Sequence, residues 1–208
     1  MVDSQTFYNA LVKSGVDFFT GVPDSLLSPL CACIAERAPE DKHIITANEG
    51  AAIALATGNY LATAKPSLVY MQNSGLGNAI NPLLSLADPS VYAVPMLLMI
   101  GWRGEPGVKD EPQHFAQGKV TVSLLDAMGI AYHRLPQDTE EAVALIKELA
   151  ERALSEQRPI AILASKNSFA QYKADQNSGD ERLPLTREQA IGIILKNIHA
   201  NSSVVSST

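Results

Sequence analysis

The chain has 208 residues, 46% of them hydrophobic, and a formal net charge of −6. This length suits one large domain, or one domain and part of another, and the apolar content is ordinary for a globular protein with a substantial core. The acidic balance argues against nucleic acid and against an anionic membrane surface as partners. No apolar run approaches the roughly 20 residues of a membrane-spanning helix.

The N-terminus and the cysteines indicate the compartment. Residues 1–4 contain neither a basic stretch nor the start of an apolar one, so we expect no secretory signal. Cys31 and Cys33 lie two residues apart on a predicted helix, where they point to different faces. They form neither a CxxC motif nor an expected disulfide, which predicts a reducing, cytoplasmic location.

Predicted helices and strands alternate along most of the chain. The predicted strands are 16–20, 43–46, 67–72, 94–100, 131–135 and 160–164, and the helices are 4–14, one after the 21–25 turn that ends near 37, 49–64, 76–87 with an interruption near Pro82, 119–128 and 138–155. A long loop is predicted from Gly101 to Gln117. Such alternation predicts an α/β fold, a doubly wound parallel sheet with helices on both faces.

In sheets of this kind, ligands bind beyond the carboxyl ends of the strands. The turns after the first four predicted strands therefore converge on one edge. They carry most of the chemically notable residues of the chain, and we expect a functional site there.

Glu49 stands where the second strand runs into a helix of small and aliphatic residues. Asn48 is a plausible N-cap, which puts Glu49 in the first turn, where an acid is favoured by the helix dipole. From spacing alone, Glu49 is either such a helix-start acid or a functional carboxylate. Asp24, in a Gly-Val-Pro-Asp turn, has the same two interpretations.

The glycine-rich turn from Asn73 to Asn78 matches no common motif from another class. A nucleophile elbow needs glycines where Gln72 and Leu76 stand. A dinucleotide fingerprint needs a third glycine where Ile80 stands, so a nucleotide-binding domain is disfavoured.

The 101–117 loop mixes both charges: Arg103, Lys109 and His114 with Glu105, Asp110 and Glu111. By composition it is a solvated loop, although loops of this length are often functional. Its cations suit a phosphonate group. The four histidines show no metal-ligand spacing, so no metal site is expected on this chain.

Four stretches together resemble one family. Asn48-Glu49-Gly50-Ala51-Ala52, Thr20-Gly21-Val22-Pro23-Asp24-Ser25, Gln72 to Asn78, and Gly101 to Gly107 with Asp110 to His114 are similar, in order and spacing, to segments of thiamine-diphosphate-dependent 2-keto-acid decarboxylases. Within that family the last stretch looks most like phosphonopyruvate decarboxylases, with sulfopyruvate decarboxylases close behind. The resemblance implies the fold of the family's pyrimidine-binding (PYR) domain.

The resemblance also implies roles for individual residues. Glu49 would hydrogen-bond the pyrimidine ring of thiamine diphosphate and activate it, and Asp24 and His114 would act in proton transfer. Further cofactor contacts would come from Pro23, Asn73, Ser74, Gly75, Gly77 and Asn78. Arg103, as the main clamp, and Lys109 would bind the substrate's phosphonate. The diphosphate and Mg²⁺ would be held by a second domain with a Gly-Asp-Gly motif, which this chain lacks.

The implied activity is conversion of phosphonopyruvate to phosphonoacetaldehyde and CO₂. Alternatives are the α subunit of a sulfopyruvate decarboxylase and a non-catalytic binding module with the PYR fold. We predict a PYR domain over 1–170, a polar linker over 171–185 and the incomplete start of a diphosphate-binding domain over 186–208. Such a chain would be inactive alone, would need a diphosphate-binding domain or subunit as partner, and would form homo-oligomers.

Overall fold

The computed structural model describes residues 1–173, 185–199 and 201–204. These belong to two compact units, 1–174 and 175–208. In the first unit, six parallel strands form one sheet in the order β2-β1-β3-β4-β6-β5. The strands are β1 Phe18–Gly21, β2 His43–Ile45, β3 Ser67–Gln72, β4 Met96–Gly101, β5 Ala131–Arg134 and β6 Pro159–Ala164. The predicted doubly wound parallel sheet is confirmed.

Helices cover both faces of this sheet. They are α1 Ser4–Lys13, α2 Ser28–Arg37, α3 Glu49–Thr63, α4 Leu76–Pro82, α5 Phe115–Ala127 and α6 Thr139–Glu156. Side chains of α1, α2 and α6 pack on one face, and those of α3, α4 and α5 on the other. Consecutive residues of the central strands alternate between the two cores: Leu68 and Tyr70 face the first, Val69 and Met71 the second. Strands buried on both faces explain the nearly continuous apolar runs in the sequence.

Two irregular segments test the predicted helix and loop boundaries. Pro82 ends α4, and the chain continues as one π-helical segment, Leu83–Ala87, so the predicted interruption is found. The predicted 101–117 loop is wrong at its end, because Pro112–His114 form a 3₁₀-helix that runs into α5 at Phe115. Pro112 occupies the start of that turn, where its missing N–H loses no hydrogen bond.

The helix starts near the site are fixed by side-chain caps. Asn48 Oδ1 accepts from the N–H of Ala51 at 2.9 Å, which confirms the predicted N-cap of α3. Asp24 caps the 3₁₀ turn Ser25–Leu27, whereas α2 itself begins without a side-chain cap. Both caps set the direction in which the chain leaves the strand before them.

The second unit contains α7, Arg187–Asn197. Thr186 and Gln189 form a reciprocal capping box at its start. Most of the predicted linker, residues 174–184, lies outside the described residues, and so do residues 205–208 of the predicted second domain. The domain boundaries therefore stay predictions. Within the described parts of the chain, no helix combines the length and apolarity needed to cross a membrane.

Candidate functional site

The carboxyl ends of four strands bring the predicted site residues to one edge of the sheet. Gln72 at the end of β3 pairs with Gly101 at the end of β4, and Gly101 pairs with Ala164 at the end of β6. On the other side of β3, Gly21 at the end of β1 pairs with Tyr70. The loops that follow these strands are therefore neighbours.

Glu49 begins α3 and is only 8% exposed. Asn78, in the first turn of α4, donates from Nδ2 to Glu49 Oε2 at 2.8 Å. The Cα atom of Gly75 packs against the same carboxylate so closely that a methyl group there would overlap it. Among the described residues, Glu49 Oε1 receives no hydrogen bond. The carboxylate is thus held on one side and unpaired on the other.

Asp24 is buried, at 5% exposure, and both of its oxygens accept hydrogen bonds. Oδ2 accepts from the N–H of Leu26 at 3.0 Å, and Oδ1 accepts from Gln72 Nε2 at 2.9 Å. Ser74 Oγ donates to Gln72 Oε1 at 2.8 Å. The Gln72 amide, through its bond to Asp24, links the turns after β1 and β3. A side chain on Gly101 would overlap Asp24, so the end of β4 also restricts this carboxylate. The helix-cap interpretation of Asp24 is confirmed, and its role in proton transfer stays a prediction.

The Asn73 side chain is buried and joins three elements. Its Nδ2 donates to the carbonyl of Arg103 and to Thr121 Oγ1, both at 2.8 Å, and its Oδ1 accepts from the N–H of Arg103 at 3.2 Å. These bonds use both polar atoms of the amide within the chain. Asn73 therefore positions the turn after β3 against the loop after β4.

Arg103 is paired with Asp110 through two nitrogens on one edge of its guanidinium. Nε donates to Asp110 Oδ2 at 2.9 Å and Nη2 donates to Oδ1 at 2.6 Å, while Nη1 donates to Ser25 Oγ at 2.8 Å. This fork lowers the pKa of Asp110 strongly and raises that of Arg103. Backbone N–H groups of Gly104 and Glu111 also donate to Asp110. The sequence did not predict that the fork would be occupied within the chain.

Beside this ion pair lies an open cavity of about 430 Å³. It is lined by Ser25, Leu26, Arg103, Lys109, Asp110, Glu111 and Lys166. The structure therefore brings the two predicted substrate residues, Arg103 and Lys109, together. Lys166 was missed, although it follows β6 and the same edge rule could have found it.

Other predicted residues are less closely integrated. Pro23 and Gly77 are exposed, and Ser74 is exposed beside Gln72. His114 is half-buried in the 3₁₀-helix before α5, and its carbonyl packs against Gly104. Its imidazole forms no hydrogen bond with the other predicted residues in the described chain.

The described residues include no cluster of three or more His, Cys, Asp or Glu side chains suited to a metal ion. Both cysteines are free thiols. Burial raises the pKa of the Cys31 thiol to about 12, more than the backbone hydrogen bond from Asp24 lowers it. A thiol with that pKa is protonated at neutral pH, so Cys31 is not an activated nucleophile.

Comparison with known proteins identifies the family. Residues 2–129 match the family model described as thiamine pyrophosphate enzyme, N-terminal TPP binding domain. The chain belongs to the thiamine-diphosphate enzyme family. The region matched contains the Glu49, Asp24, Asn73 and Arg103 contacts described above.

Curated relatives match at moderate identity. A phosphonopyruvate decarboxylase from Streptomyces viridochromogenes is 31% identical over 100% of this chain and 55% of its own length. The sulfopyruvate decarboxylase subunit alpha from Methanococcus maripaludis is 38% identical over 77% of this chain and 92% of its own length. The chain thus spans about half the length of the phosphonopyruvate decarboxylases that it matches.

Solved structures share the fold at lower identity. The thiamine diphosphate-dependent 4-hydroxybenzoylformate decarboxylase of Rhodococcus jostii RHA1 matches 94% of this chain and 37% of its own, with a TM-score of 0.59 and 19% identity. The 2-oxoglutarate:ferredoxin oxidoreductase of Magnetococcus marinus matches 86% of this chain and 34% of its own, with a TM-score of 0.61 and 17% identity.

The Arg103–Asp110 pair predicts a specific dependence of stability on pH. Because the pKa of Asp110 is lower in the folded state, its contribution is complete above its unfolded pKa of about 3.9 and is lost as the pH falls through the folded value. We expect Asp110→Asn to lower the free energy of unfolding by about 1–3 kcal/mol at pH 7. The difference from wild type should shrink below about pH 4, as measured by urea denaturation across pH 2.5–7.

Glu111→Gln is the matched control, because Glu111 is the exposed neighbour and its side chain forms no ion pair within the described residues. That variant should follow the wild-type curve. If the free energies of unfolding of Asp110→Asn and wild type differed by the same amount at every pH, the stabilisation by Asp110 would not come from its charge.

Proposed function

We propose that this chain is the pyrimidine-binding domain of a thiamine-diphosphate-dependent 2-keto-acid decarboxylase, with phosphonopyruvate as substrate and phosphonoacetaldehyde and CO₂ as products. One observation carries the proposal: the carboxylate of Glu49, buried at the start of α3, keeps an oxygen without a partner beside a glycine. Glu49 Oε1 is not sealed off by the protein, unlike the buried unpaired oxygen of Glu105, so it is open to a hydrogen-bond donor of a ligand.

The residues around Glu49 fit the pyrimidine ring of the cofactor. Asn78 fixes the carboxylate through Oε2, which leaves Oε1 for a ring nitrogen. Gly75 adds no side chain at this point, and Gly77 and Ser74 are exposed next to it. Glu49 would hold and exchange the proton at this nitrogen. When bound, thiamine diphosphate supplies the electron sink for loss of CO₂.

Asp24 and His114 are the proposed proton-transfer groups on the substrate side. Gln72 and the Leu26 N–H hold Asp24 in one orientation, so it can accept or deliver a proton without first rotating. Pro23 precedes it on the exposed turn and would contact the cofactor. His114 would act from the 3₁₀-helix before α5, where its side chain is half-buried.

The extent of the sequence matches supports phosphonopyruvate over sulfopyruvate. Matches to phosphonopyruvate decarboxylases cover 100% of the chain, including the second unit. Matches to the sulfopyruvate decarboxylase α subunits cover 77–78% of the chain. A separately encoded α subunit of a sulfopyruvate decarboxylase remains the second candidate, and parallel assays with the two keto acids separate them.

The proposal assigns the diphosphate and Mg²⁺ to a partner domain or subunit. This chain carries no Gly-Asp-Gly motif, and the relatives that match all of it are nearly twice as long. The Mg²⁺ that accompanies the diphosphate would therefore be bound by carboxylate and amide oxygens outside this chain.

Glu49→Gln tests the central assignment in the assembled enzyme. Losing a positioned acid–base group should lower kcat by roughly a hundredfold or more. KM for the keto acid should change little, because Glu49 faces the cofactor. Steady-state assays of CO₂ release provide both values.

The same substitution at Glu141 is the control, since Glu141 is also a first-turn acid, on α6. Glu141→Gln should retain wild-type kcat. Near wild-type turnover by Glu49→Gln would mean that Glu49 serves only to start its helix.

The chain alone should bind thiamine diphosphate poorly and release no CO₂, because it lacks the domain proposed to hold the diphosphate. Calorimetry with thiamine diphosphate and Mg²⁺ should show binding only after a diphosphate-binding domain is supplied. Robust turnover by the isolated chain would contradict this, and absence of binding in the complemented sample would favour the non-catalytic module.

The chain should also self-associate through α3. After Glu49 this helix has no charged residue, and Ala54, Leu55, Gly58, Leu61 and Ala62 are exposed along it. Leu61, at 62% exposure, is the most exposed large apolar residue of the helix. Light scattering at high protein concentration should show a dimer that Leu61→Lys weakens, whereas Val12→Lys on α1 should leave it intact. A clean monomer for the unmodified chain would contradict self-association.

A further inference from the structure

Lys166 lies on an anchored turn beside the proposed substrate cavity. It lies two positions after Ala164, the end of β6, which pairs with Gly101. The N–H of Ser168 donates to the carbonyl of Ser165 and closes the turn around Lys166. The carbonyl of Ser168 in turn accepts from the N–H of Val2 at 2.7 Å. The lysine therefore extends from a fixed backbone.

The cavity walls carry three cations and two carboxylates. The cations are Arg103, Lys109 and Lys166, and the carboxylates are Asp110 and Glu111. This local excess of positive charge stands out on a protein whose net charge is −6. The cavity therefore suits an anion that the rest of the surface would repel.

The three cations are not equally available. The guanidinium of Arg103 is held by both oxygens of Asp110 and by Ser25. Neither Lys109 nor Lys166 forms an ion pair or a hydrogen bond through its side chain with any described residue. A new anion would meet the two ammonium groups first, because binding the Arg103 fork requires displacing Asp110.

We propose that Lys166, from the loop after β6, acts with Lys109 as the specificity determinant for the terminal anionic group of the keto acid, a phosphonate or sulfonate. The assignment rests on the proposed function. Arg103 is then a positioning residue, which holds the loop after β4 through Asp110 and Ser25. Two ammonium groups, from the loops after β4 and β6, suit a compact tetrahedral anion, which needs no planar fork.

The test uses the assembled enzyme that contains this chain, with phosphonopyruvate and pyruvate as substrates. Lys166→Ala should lower kcat/KM for phosphonopyruvate about tenfold or more, through KM, since a charge-assisted contact is lost. For pyruvate, which lacks the anionic group, kcat/KM should stay within about twofold of wild type. Lys166→Arg should recover most of the loss, because it restores the charge. Lys147→Ala, an exposed lysine on α6, controls for the change in net charge.

Arg103→Lys separates positioning from direct binding. A positioning residue whose loss disturbs the loop should lower kcat/KM for both substrates by similar factors. A loss confined to phosphonopyruvate would place Arg103 in direct contact with the anion and overturn its assignment here.

Calorimetry with phosphonoacetate as a probe keeps the two proposals separate. Wild-type protein should bind the probe, Lys166→Ala should bind it about tenfold more weakly, and the affinity for thiamine diphosphate should be equal in both. Unchanged kinetics and probe binding in Lys166→Ala, or equal losses on both substrates, would overturn the role of Lys166 while the decarboxylase stands. Weaker thiamine diphosphate binding would instead assign Lys166 to the cofactor's diphosphate. Probe binding that depends on Lys166, in a protein that turns over no 2-keto acid, would support the anion site and reject the proposed function.

Discussion

The hydrogen bonds of the buried Asn73 amide hold the candidate site together. The amide joins the turn after β3 to the backbone of Arg103 and to Thr121 of α5. Its neighbours in sequence are the residues that contact the two key carboxylates: Gln72 donates to Asp24, and Gly75 packs on Glu49. A shift of the Asn73 backbone would therefore move both carboxylates together. Buried amides of this kind are costly to leave unpaired, so the network strongly favours a single arrangement.

This arrangement keeps two kinds of chemistry apart on one edge. Glu49 lies at the start of α3, beside Asn78 and Gly75. The cations lie on the loops after β4 and β6, around a cavity that Ser25 also lines. Asp24 connects the two regions. It accepts a hydrogen bond from Gln72 and is followed in the sequence by Ser25, which lines the cavity. Within the described residues, Glu49 does not line this cavity and forms no ion pair with its cations.

The sequence predicts the regular parts of this site better than the irregular ones. The strand-to-helix join at Glu49, the Asn48 cap and the break at Pro82 follow from local rules that tertiary packing leaves intact. The Arg103–Asp110 fork could not be predicted, because a seven-residue separation in a loop without periodicity specifies no contact. Lys166 was not predicted for a different reason. Ligands bind beyond the carboxyl end of β6 as they do for the other strands, but the loop after β6 contains no glycine-rich or charged motif. The start of α5 was predicted too late in the chain, because the residues before it are polar and have the composition of a loop. Pro112, a residue favoured at the start of a helix, was the signal that could have corrected this boundary.

Two glycines on the α3–α4 surface have no explanation within the described chain. Gly58 and Gly77 both lie in helices with ordinary helical backbone, and an added methyl group at either would meet no described atom within 4 Å. Glycine in a helix costs about 0.5–1 kcal/mol relative to alanine, so neither backbone strain nor internal packing accounts for them. Gly75, by contrast, is required by the Glu49 carboxylate that it touches. Close approach from outside the chain would account for both, because Gly77 lies next to the proposed pyrimidine site and Gly58 lies on the exposed apolar face of α3 proposed to pair with a second copy. The stability given up at these positions is what a surface built to be covered by a cofactor and another subunit would require.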